Sequence, residues 1–321
     1  METSIGKLRR LQQCASTDGF FTILALDHRG NLRRNLNPTH PEQVTYEAMV
    51  AFKQQVTAAL GSVSSAVLLD PEYGAAQAIA SGALPGHTGL VVAVEKTGYS
   101  GDPNDRESMI LPGWSVEKIA RMGASAVKLL LYYHPQAENA AGQEALVSQV
   151  AAACRDYDIP FFLEPLSFSL DPAVKALASP EKRRVVVETA RRLTPLGVDV
   201  LKAEFPLSIT GEKDESVWHA ACAELSQASA APWVLLSAGV DFEDFQRQTA
   251  VACAAGASGV MAGRAVWKEA AERQGAAREE FLRGTAVERM LRLQAAIEAA
   301  GRPWADFYTP PIVEEGWYRR Y

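Results

Sequence analysis

Cysteine and histidine are scarce in the sequence and never clustered. The four cysteines (Cys14, Cys154, Cys222 and Cys253) lie far apart and form no CxxC pair. They are therefore predicted to be reduced packing residues rather than a disulfide framework. The five histidines show no HxH or HExxH spacing. This pattern disfavours a histidine-rich metal site, and we expect no metal ligation.

Long apolar runs and an excess of basic residues are also missing. No apolar run approaches the roughly 18 residues that a membrane span requires. The first 20 residues carry positive charge but lack the apolar core of a secretory leader. The formal net charge is −6 and the pI about 5.5, which argues against a nucleic-acid partner. The sequence predicts a cytoplasmic protein with no membrane or nucleic-acid partner.

What the sequence does contain is a short apolar run followed by a longer amphipathic segment, eight times over. Runs rich in aliphatic residues and nearly continuous are typical of strands buried on both faces. Eight strand–helix units predict one parallel (β/α)8 TIM barrel occupying residues 1–321 as a single domain. The apolar runs span residues 20–26, 66–70, 90–95, 125–131, 160–166, 198–205, 233–239 and 258–264.

Helical spacing and turn residues separate these runs. Residues 44–60 carry an apolar residue every four positions. Helix starts are predicted at Thr39–Glu42, at Ser179 with Pro180, and at Asp241–Asp244. Helix ends are predicted at four glycines, namely Gly61, Gly123, Gly197 and Gly256. An extra helix over about 278–299 and an aromatic tail over 303–321 follow the barrel, and the tail is either a surface strap or a subunit contact.

Ionisable and polar residues stand at the carboxyl ends of the predicted strands, where barrels of this kind hold their active sites. They are Asp27, Asp70, Glu95, Lys128, Glu164, Lys202, Ser237 and Arg264. Burying an unpaired charge is costly, so their repetition at one end of successive strands indicates function.

Lys128 and Lys202 are the most informative pair, because each follows a predicted turn glycine by five residues. Equal spacing predicts both ammonium groups in one layer of the barrel. Neighbouring cations and burial are expected to lower the pKa of both lysines, and a neutral amine can attack a carbonyl. The alternative is that each lysine reaches past the rim or pairs with a carboxylate.

Glu164 lies between the lysine strands, within the apolar segment IPFFLEPL. Apolar surroundings predict a raised pKa and a role in proton transfer near neutrality. A structural ion pair with Lys128 or Lys202 is the alternative, and both interpretations can hold together. Glu204 competes for the same role, and we rank it as an orienting or ion-pairing residue.

The segments after strands seven and eight predict an anion site. Glycine lets the backbone approach an anion, and an arginine can donate two hydrogen bonds. The residues concerned are Ser237, Gly239, Gly263 and Arg264. After strand one, Arg29 could meet a second anion and Asp27 a hydroxyl. For Arg29 the alternative is a solvated loop, and for His28 a polar rim residue.

The quoted segments resemble those of the class I tagatose-1,6-bisphosphate aldolase family. Similar segments run in order from residue 25 to residue 267: ALDHRG, LLDPEYG, EKTGY, GASAVKLLLYY, IPFFLEPLSF, GVDVLKAEFP, LLSAGV and ASGVMAGRAVW. The resemblance implies a Schiff base on Lys202, acid–base work by Glu164 and assistance from Lys128. It also implies substrate or phosphate contacts at Asp27, His28, Arg29, Ser237, Gly239, Gly263 and Arg264.

Two details depart from the family. His28 stands where a glutamine is expected, which bears on recognition of the distal hydroxyls, and the stretch from 167 to 195 is shorter than usual. PWVLLSAGVD and ASGVMAGRAVW also resemble a sister group that cleaves a sulfonated fructose phosphate, 6-deoxy-6-sulfofructose 1-phosphate. LLDPEYG and EKTGY resemble the tagatose group better, so a ketohexose bisphosphate is favoured.

The resemblance implies cleavage to dihydroxyacetone phosphate and glyceraldehyde 3-phosphate without metal or organic cofactor. The expected partners are a small sugar phosphate and further copies of the chain in a homo-oligomer. Two hypotheses of other kinds stay open. A phosphate-binding isomerase or epimerase would leave the paired lysines unexplained, and a non-catalytic barrel that senses sugar phosphates would bind without turnover.

Overall fold

Eight parallel strands close into a barrel in a computed structural model that describes residues 1–319 and 321. Neighbours along the chain pair with each other, and β1 pairs with β8 to close the ring. The predicted TIM barrel is confirmed, and each strand falls within one residue of, or inside, a predicted run. The strands are β1 (Phe21–Ala25), β2 (Ala66–Leu69), β3 (Gly89–Ala93), β4 (Ala126–Tyr132), β5 (Phe161–Leu166), β6 (Val200–Ala203), β7 (Trp233–Leu236) and β8 (Gly259–Ala262).

The helices after the first surround the barrel and bury their apolar faces on the outward side chains of the strands, whereas the first helix packs against the cluster inside the barrel. The helices are α1 (Ile5–Cys14), α2 (Gly30–Leu36), α3 (Tyr46–Leu60), α4 (Ala75–Ala80), α5 (Val116–Arg121), α6 (Ala140–Asp156), α7 (Ser179–Leu193), α8 (Glu215–Ala228), α9 (Phe242–Ala254), α10 (Arg264–Ala271), α11 (Gly275–Phe281) and α12 (Val287–Ala300). None of the described helices is long and apolar enough to cross a membrane.

Some predicted helix boundaries are wrong. Residues 41–43 form only a 3-10 turn, and α3 begins after Thr45, whose hydroxyl accepts the Ala48 N–H at 3.2 Å. α3 does end at Gly61 as predicted, but the glycine has a right-handed φ of −59° rather than a left-handed one. Its small size is explained by Pro85, because a Cβ there would lie 2.8 Å from the proline ring. The other three predicted turn glycines do have positive φ.

The two chain ends close the amino-terminal side of the barrel. Trp304 stacks on Phe21 with 6.5 Å between ring centroids, and the Tyr308 hydroxyl donates to the Asp199 carbonyl at 2.6 Å. Lys7 in α1 forms a buried ion pair of 2.7 Å with Asp199. Trp304 and Tyr308 therefore anchor the tail in the core at the amino-terminal end of the barrel, whereas Ala305 and Asp306 between them are exposed.

Candidate active site

A cavity of about 540 Å³ opens at the carboxyl ends of the strands. Nine of the ten predicted site residues line it: Asp27, His28, Arg29, Glu164, Lys202, Ser237, Gly239, Gly263 and Arg264. The tenth, Lys128, lies beneath them and is fully buried. Asp70 belongs elsewhere, because its carboxylate is buried against the ammonium of Lys53.

Strand geometry explains why the central charges point inward. Ala126, Phe162 and Val200 belong to the cluster that fills the barrel interior. Successive side chains on a strand alternate between faces, so the residue two positions on shares that direction. Lys128, Glu164 and Lys202 are those residues, and they form the ionic layer that caps the apolar interior.

Glu164 joins the two lysines. Its Oε1 lies 2.8 Å from Nζ of Lys202, and its Oε2 lies 2.8 Å from Nζ of Lys128. Lys128 also contacts Asp27 and Glu95, each at 2.7 Å. Burial alone would lower the pKa of Lys128, but Asp27, Glu164 and Glu95 together raise it well above its ordinary value. The expectation that both lysines have lowered pKa values is thus wrong for Lys128, because the count of carboxylates outweighs the nearby cation.

The predicted rise in the Glu164 pKa is also wrong. Burial favours the neutral acid, but Lys128 and Lys202 favour the carboxylate and hold the pKa below its ordinary value. Oε2 of Glu164 touches Lys128 as an ion pair yet accepts no well-aligned hydrogen bond from the described residues. Glu164 is therefore a carboxylate held between two ammonium groups in the wall of the cavity.

Glu95 was one of the strand-end residues to which sequence reasoning assigned no role. It is 4% exposed, its Oε1 contacts Lys128, and its Oε2 accepts the Leu130 N–H at 3.1 Å. Its position just after β3, at the carboxyl end where the other site residues lie, was the sequence feature that could have indicated a role in the site. Glu204 lies at the cavity rim, where its carboxylate accepts the Ser167 N–H at 2.7 Å.

Arg29 is not a solvated loop residue, and its guanidinium already has hydrogen-bond partners within the protein. Its side chain is 5% exposed, Nη1 donates to Glu72 at 2.6 Å, and Nη2 donates to the Glu95 carbonyl at 2.7 Å. His28 packs edge-on against Trp267 with 5.2 Å between centroids. Burial lowers the pKa of His28 to about 3, although Asp27 opposes that shift. The imidazole is thus neutral near pH 7.

The predicted anion site lies where β7 and β8 end, and we call it the anion corner. It consists of Ser237, Gly239, Gly263 and Arg264. The Ser237 hydroxyl accepts the Gly263 N–H at 3.2 Å. The Arg264 guanidinium covers Gly239, where a Cβ would lie 3.0 Å from Cζ. Nε of Arg264 is buried without a hydrogen-bond partner among the described residues. Burial and the nearby Arg34 lower the pKa of this guanidinium. A cationic group with an unpaired donor beside two glycines suits an oxyanion.

A hairpin between β3 and α5 covers part of the cavity and was not predicted. Antiparallel bridges join Glu95 to Ile110 and Ser100 to Glu107. It places Arg106 in the cavity wall beside Tyr132 at the end of β4. This long connection has no periodic pattern, so sequence reasoning had no signal for it.

A buried lysine beside a carboxylate, next to an anion corner in a barrel mouth, is the arrangement of an enzyme that captures a phosphorylated carbonyl compound. The sequence matches the DeoC/LacD family aldolase over residues 21–269. The chain belongs to this family and is an aldolase, a carbon–carbon lyase.

Relatives of similar length carry a more specific name. The tagatose 1,6-diphosphate aldolase of Streptococcus agalactiae serotype V is 32% identical, with 94% of this chain and 98% of the relative covered. That of Lactococcus lactis subsp. lactis is 34% identical with the same coverage. A solved Schiff-base-forming fructose-1,6-bisphosphate aldolase is 21% identical, with a TM-score of 0.55 over 87% of this chain and 98% of the other. At that identity the likeness supports the fold alone.

Proposed function

We propose that the protein is a class I aldolase that cleaves tagatose 1,6-bisphosphate to dihydroxyacetone phosphate and glyceraldehyde 3-phosphate. The unequal surroundings of the two lysines carry this proposal. Lys128 contacts three carboxylates, whereas Lys202 has ion-pair contact with Glu164 alone among the described residues. Three carboxylates hold Lys128 as a cation, and Lys202 is the lysine that lines the cavity, so we assign the nucleophilic amine to Lys202. The names of the relatives favour tagatose over the sulfonated sugar.

In the proposed reaction, the neutral amine of Lys202 attacks the ketone carbon of the open-chain sugar. The carbinolamine loses water to give an iminium. Glu164 removes the proton from the carbon-4 hydroxyl, the bond between carbons 3 and 4 breaks, and its electron pair moves to the iminium as an enamine. The aldehyde product leaves. Protonation of the enamine at carbon 3 and addition of water then release dihydroxyacetone phosphate and the free lysine.

The other predicted residues have supporting roles in this proposal. Ser237, Gly239, Gly263 and Arg264 hold the phosphate on carbon 1. Lys128 holds Glu164 as a carboxylate, and Asp27 with His28 contacts the sugar hydroxyls. The cytoplasmic location and the homo-oligomer stay predictions from the sequence.

Borohydride trapping tests the proposal. We expect dihydroxyacetone phosphate and borohydride to label the peptide that contains Lys202, and Lys202→Met to abolish both the label and turnover. Lys213→Met is the matched control, because Lys213 is exposed on the loop before α8. EDTA should leave activity intact. Labelling of Lys128 would contradict the choice of lysine, and a metal requirement would contradict the class I mechanism. Faster cleavage of the sulfonated fructose phosphate would contradict the proposed substrate.

A further inference from the structure

Arg29, the residue expected to meet a second anion, already has hydrogen-bond partners on both Nη atoms. Its two Nη atoms donate to the carboxylate of Glu72 and the carbonyl of Glu95. The side chain is almost fully buried. Binding a substrate phosphate there would require breaking these contacts in a poorly solvated place, which is costly. A different cation is better suited to the distal end of the substrate.

Arg106 is that cation. Its Cζ lies 4.8 Å from the ring centroid of Tyr99, 5.4 Å from that of Tyr132 and 5.2 Å from that of Phe168. Its Nε donates to the Pro103 carbonyl at 2.8 Å, and its Nη atoms have no hydrogen-bond or ion-pair partner in residues 1–319 and 321. Aromatic contacts use the faces of a guanidinium and leave its N–H edge available to an anion.

The barrel places Arg106 opposite the anion corner. Arg264 follows β8, and Tyr132, on which Arg106 packs, ends β4. In a closed ring of eight strands in chain order, β4 and β8 lie on opposite sides. Lys202 on β6 and Glu164 on β5 come between them along the wall. A substrate with one phosphate at Arg264 and its ketone at Lys202 therefore directs its other end toward Arg106.

The electrostatics of Tyr132 support this proximity. Burial raises the pKa of the Tyr132 hydroxyl, Arg106 and Lys128 act to lower it, and Glu164 acts to raise it. Tyr132 thus lies within electrostatic range of both Arg106 and Glu164, and Arg106 and Glu164 line one cavity. We propose that Arg106 binds the anionic group on carbon 6 of the substrate and selects sugars that are charged at both ends. This inference rests on the proposed aldolase function.

The test compares tagatose 1,6-bisphosphate with tagatose 1-phosphate, which lacks the distal anion. We expect Arg106→Gln to lower kcat/KM for the bisphosphate by about 10- to 100-fold and to leave that for the monophosphate within twofold. Arg106→Lys should recover part of the loss, because the charge returns without the planar fork. Arg264→Gln should impair both substrates, since both share the phosphate on carbon 1.

Arg191→Gln is the matched control on the outer face of α7, where Glu188 is the ion-pair partner of Arg191 among the described residues; it should change neither value. Equal losses for both substrates in Arg106→Gln, or no loss, would overturn the proposal. Calorimetric measurement of the binding of both sugars distinguishes a failure of the proposed aldolase function from a failure of the proposed distal site. A wild-type protein that binds but cleaves neither sugar refutes the proposed function, while a lost preference for the bisphosphate in Arg106→Gln still supports the distal site. Arg106→Lys supplies the same comparison if the glutamine variant does not fold.

Discussion

Lys128 and Glu95 form a buried ion pair in which 2.7 Å separates Nζ from Oε1. Asp27 and Glu164 complete a set of three carboxylates around this one ammonium. Loss of its proton would leave three buried negative charges facing each other, so the structure stabilises Lys128 as a cation. A permanent cation there also keeps Glu164 ionised, which is the state that a general base requires.

Glu95→Gln should therefore change the pH dependence of catalysis more than the fold. The amide oxygen can still accept the Leu130 N–H, but one of three negative charges beside Lys128 is lost. Removing a negative neighbour disfavours the ammonium, so the pKa of Lys128 falls. We expect the alkaline limb of the kcat profile to move to lower pH, by up to about one unit. Kinetics across the alkaline range will show it, with Glu95→Asp as the charge-conserving control. An unmoved limb would mean that Lys128 does not govern activity there.

Arg264→Ala should weaken binding of the phosphorylated substrate with little effect on stability. Loss of a charge-assisted contact costs about 1.5–3 kcal/mol, which corresponds to roughly 10- to 150-fold in KM. Nε has no hydrogen-bond partner among the described residues, so few native interactions disappear. Steady-state kinetics and thermal melting measure the two effects. Arg283→Ala, on an exposed side chain paired with Glu279, is the control. A KM unchanged within twofold would place the phosphate elsewhere.

The sequence was sufficient for the barrel because its signals are local. Each strand is a continuous apolar run, and each inward charge follows from alternation along one strand. The charge state of Lys128 was beyond such reasoning. Asp27 follows β1 and Glu95 follows β3, and they lie 101 and 33 residues from Lys128 along the chain. Their carboxylates approach the ammonium of Lys128 together only when the barrel closes.

Contacts between segments far apart in the chain also explain why the surroundings of three other cationic residues were not predicted. Lys7 in α1 reads as a surface lysine, yet its partner Asp199 lies 192 residues away. Arg29 reads as available, because its partner Glu72 comes from the loop after β2. Arg106 lies in a connection without apolar periodicity, and its three aromatic neighbours come from three separate segments. Pairwise contacts between distant segments are what the sequence pattern left open.

His28 predicts a specific pH dependence of stability. Its pKa in the folded chain is about 3, below the value near 6.5 of an unfolded histidine. Between these values the unfolded chain binds the proton and the folded chain does not. Stability from this residue is therefore complete above about pH 6.5 and falls as the pH decreases.

Urea unfolding at several pH values between 4.5 and 8 would measure this effect. The slope from one histidine is at most about 1.4 kcal/mol per pH unit, the limit reached when the unfolded chain binds one proton more than the folded chain. His28→Gln should flatten the slope below pH 6.5, whereas His219→Gln on the outer helix α8 should not. Identical slopes for wild type and His28→Gln would show that the imidazole is protonated in the fold.

Glu164→Gln should keep Schiff-base formation yet lose most of the cleavage rate. Glutamine is nearly isosteric, so packing within the barrel is preserved, but it cannot take a proton from the carbon-4 hydroxyl. One positioned acid–base group is typically worth roughly 10²–10⁴ in rate, and the loss in kcat should fall in that range. Lys202 itself is unchanged in this variant, and the glutamine amide oxygen can still accept a hydrogen bond from it in place of the carboxylate contact. Borohydride labelling with dihydroxyacetone phosphate should therefore persist. Labelling and steady-state cleavage are measured on the same preparation, with Glu204→Gln as the rim control. Normal turnover would transfer the proton to another group such as Glu204, and loss of both signals would mean that Glu164 also serves the dehydration of the carbinolamine.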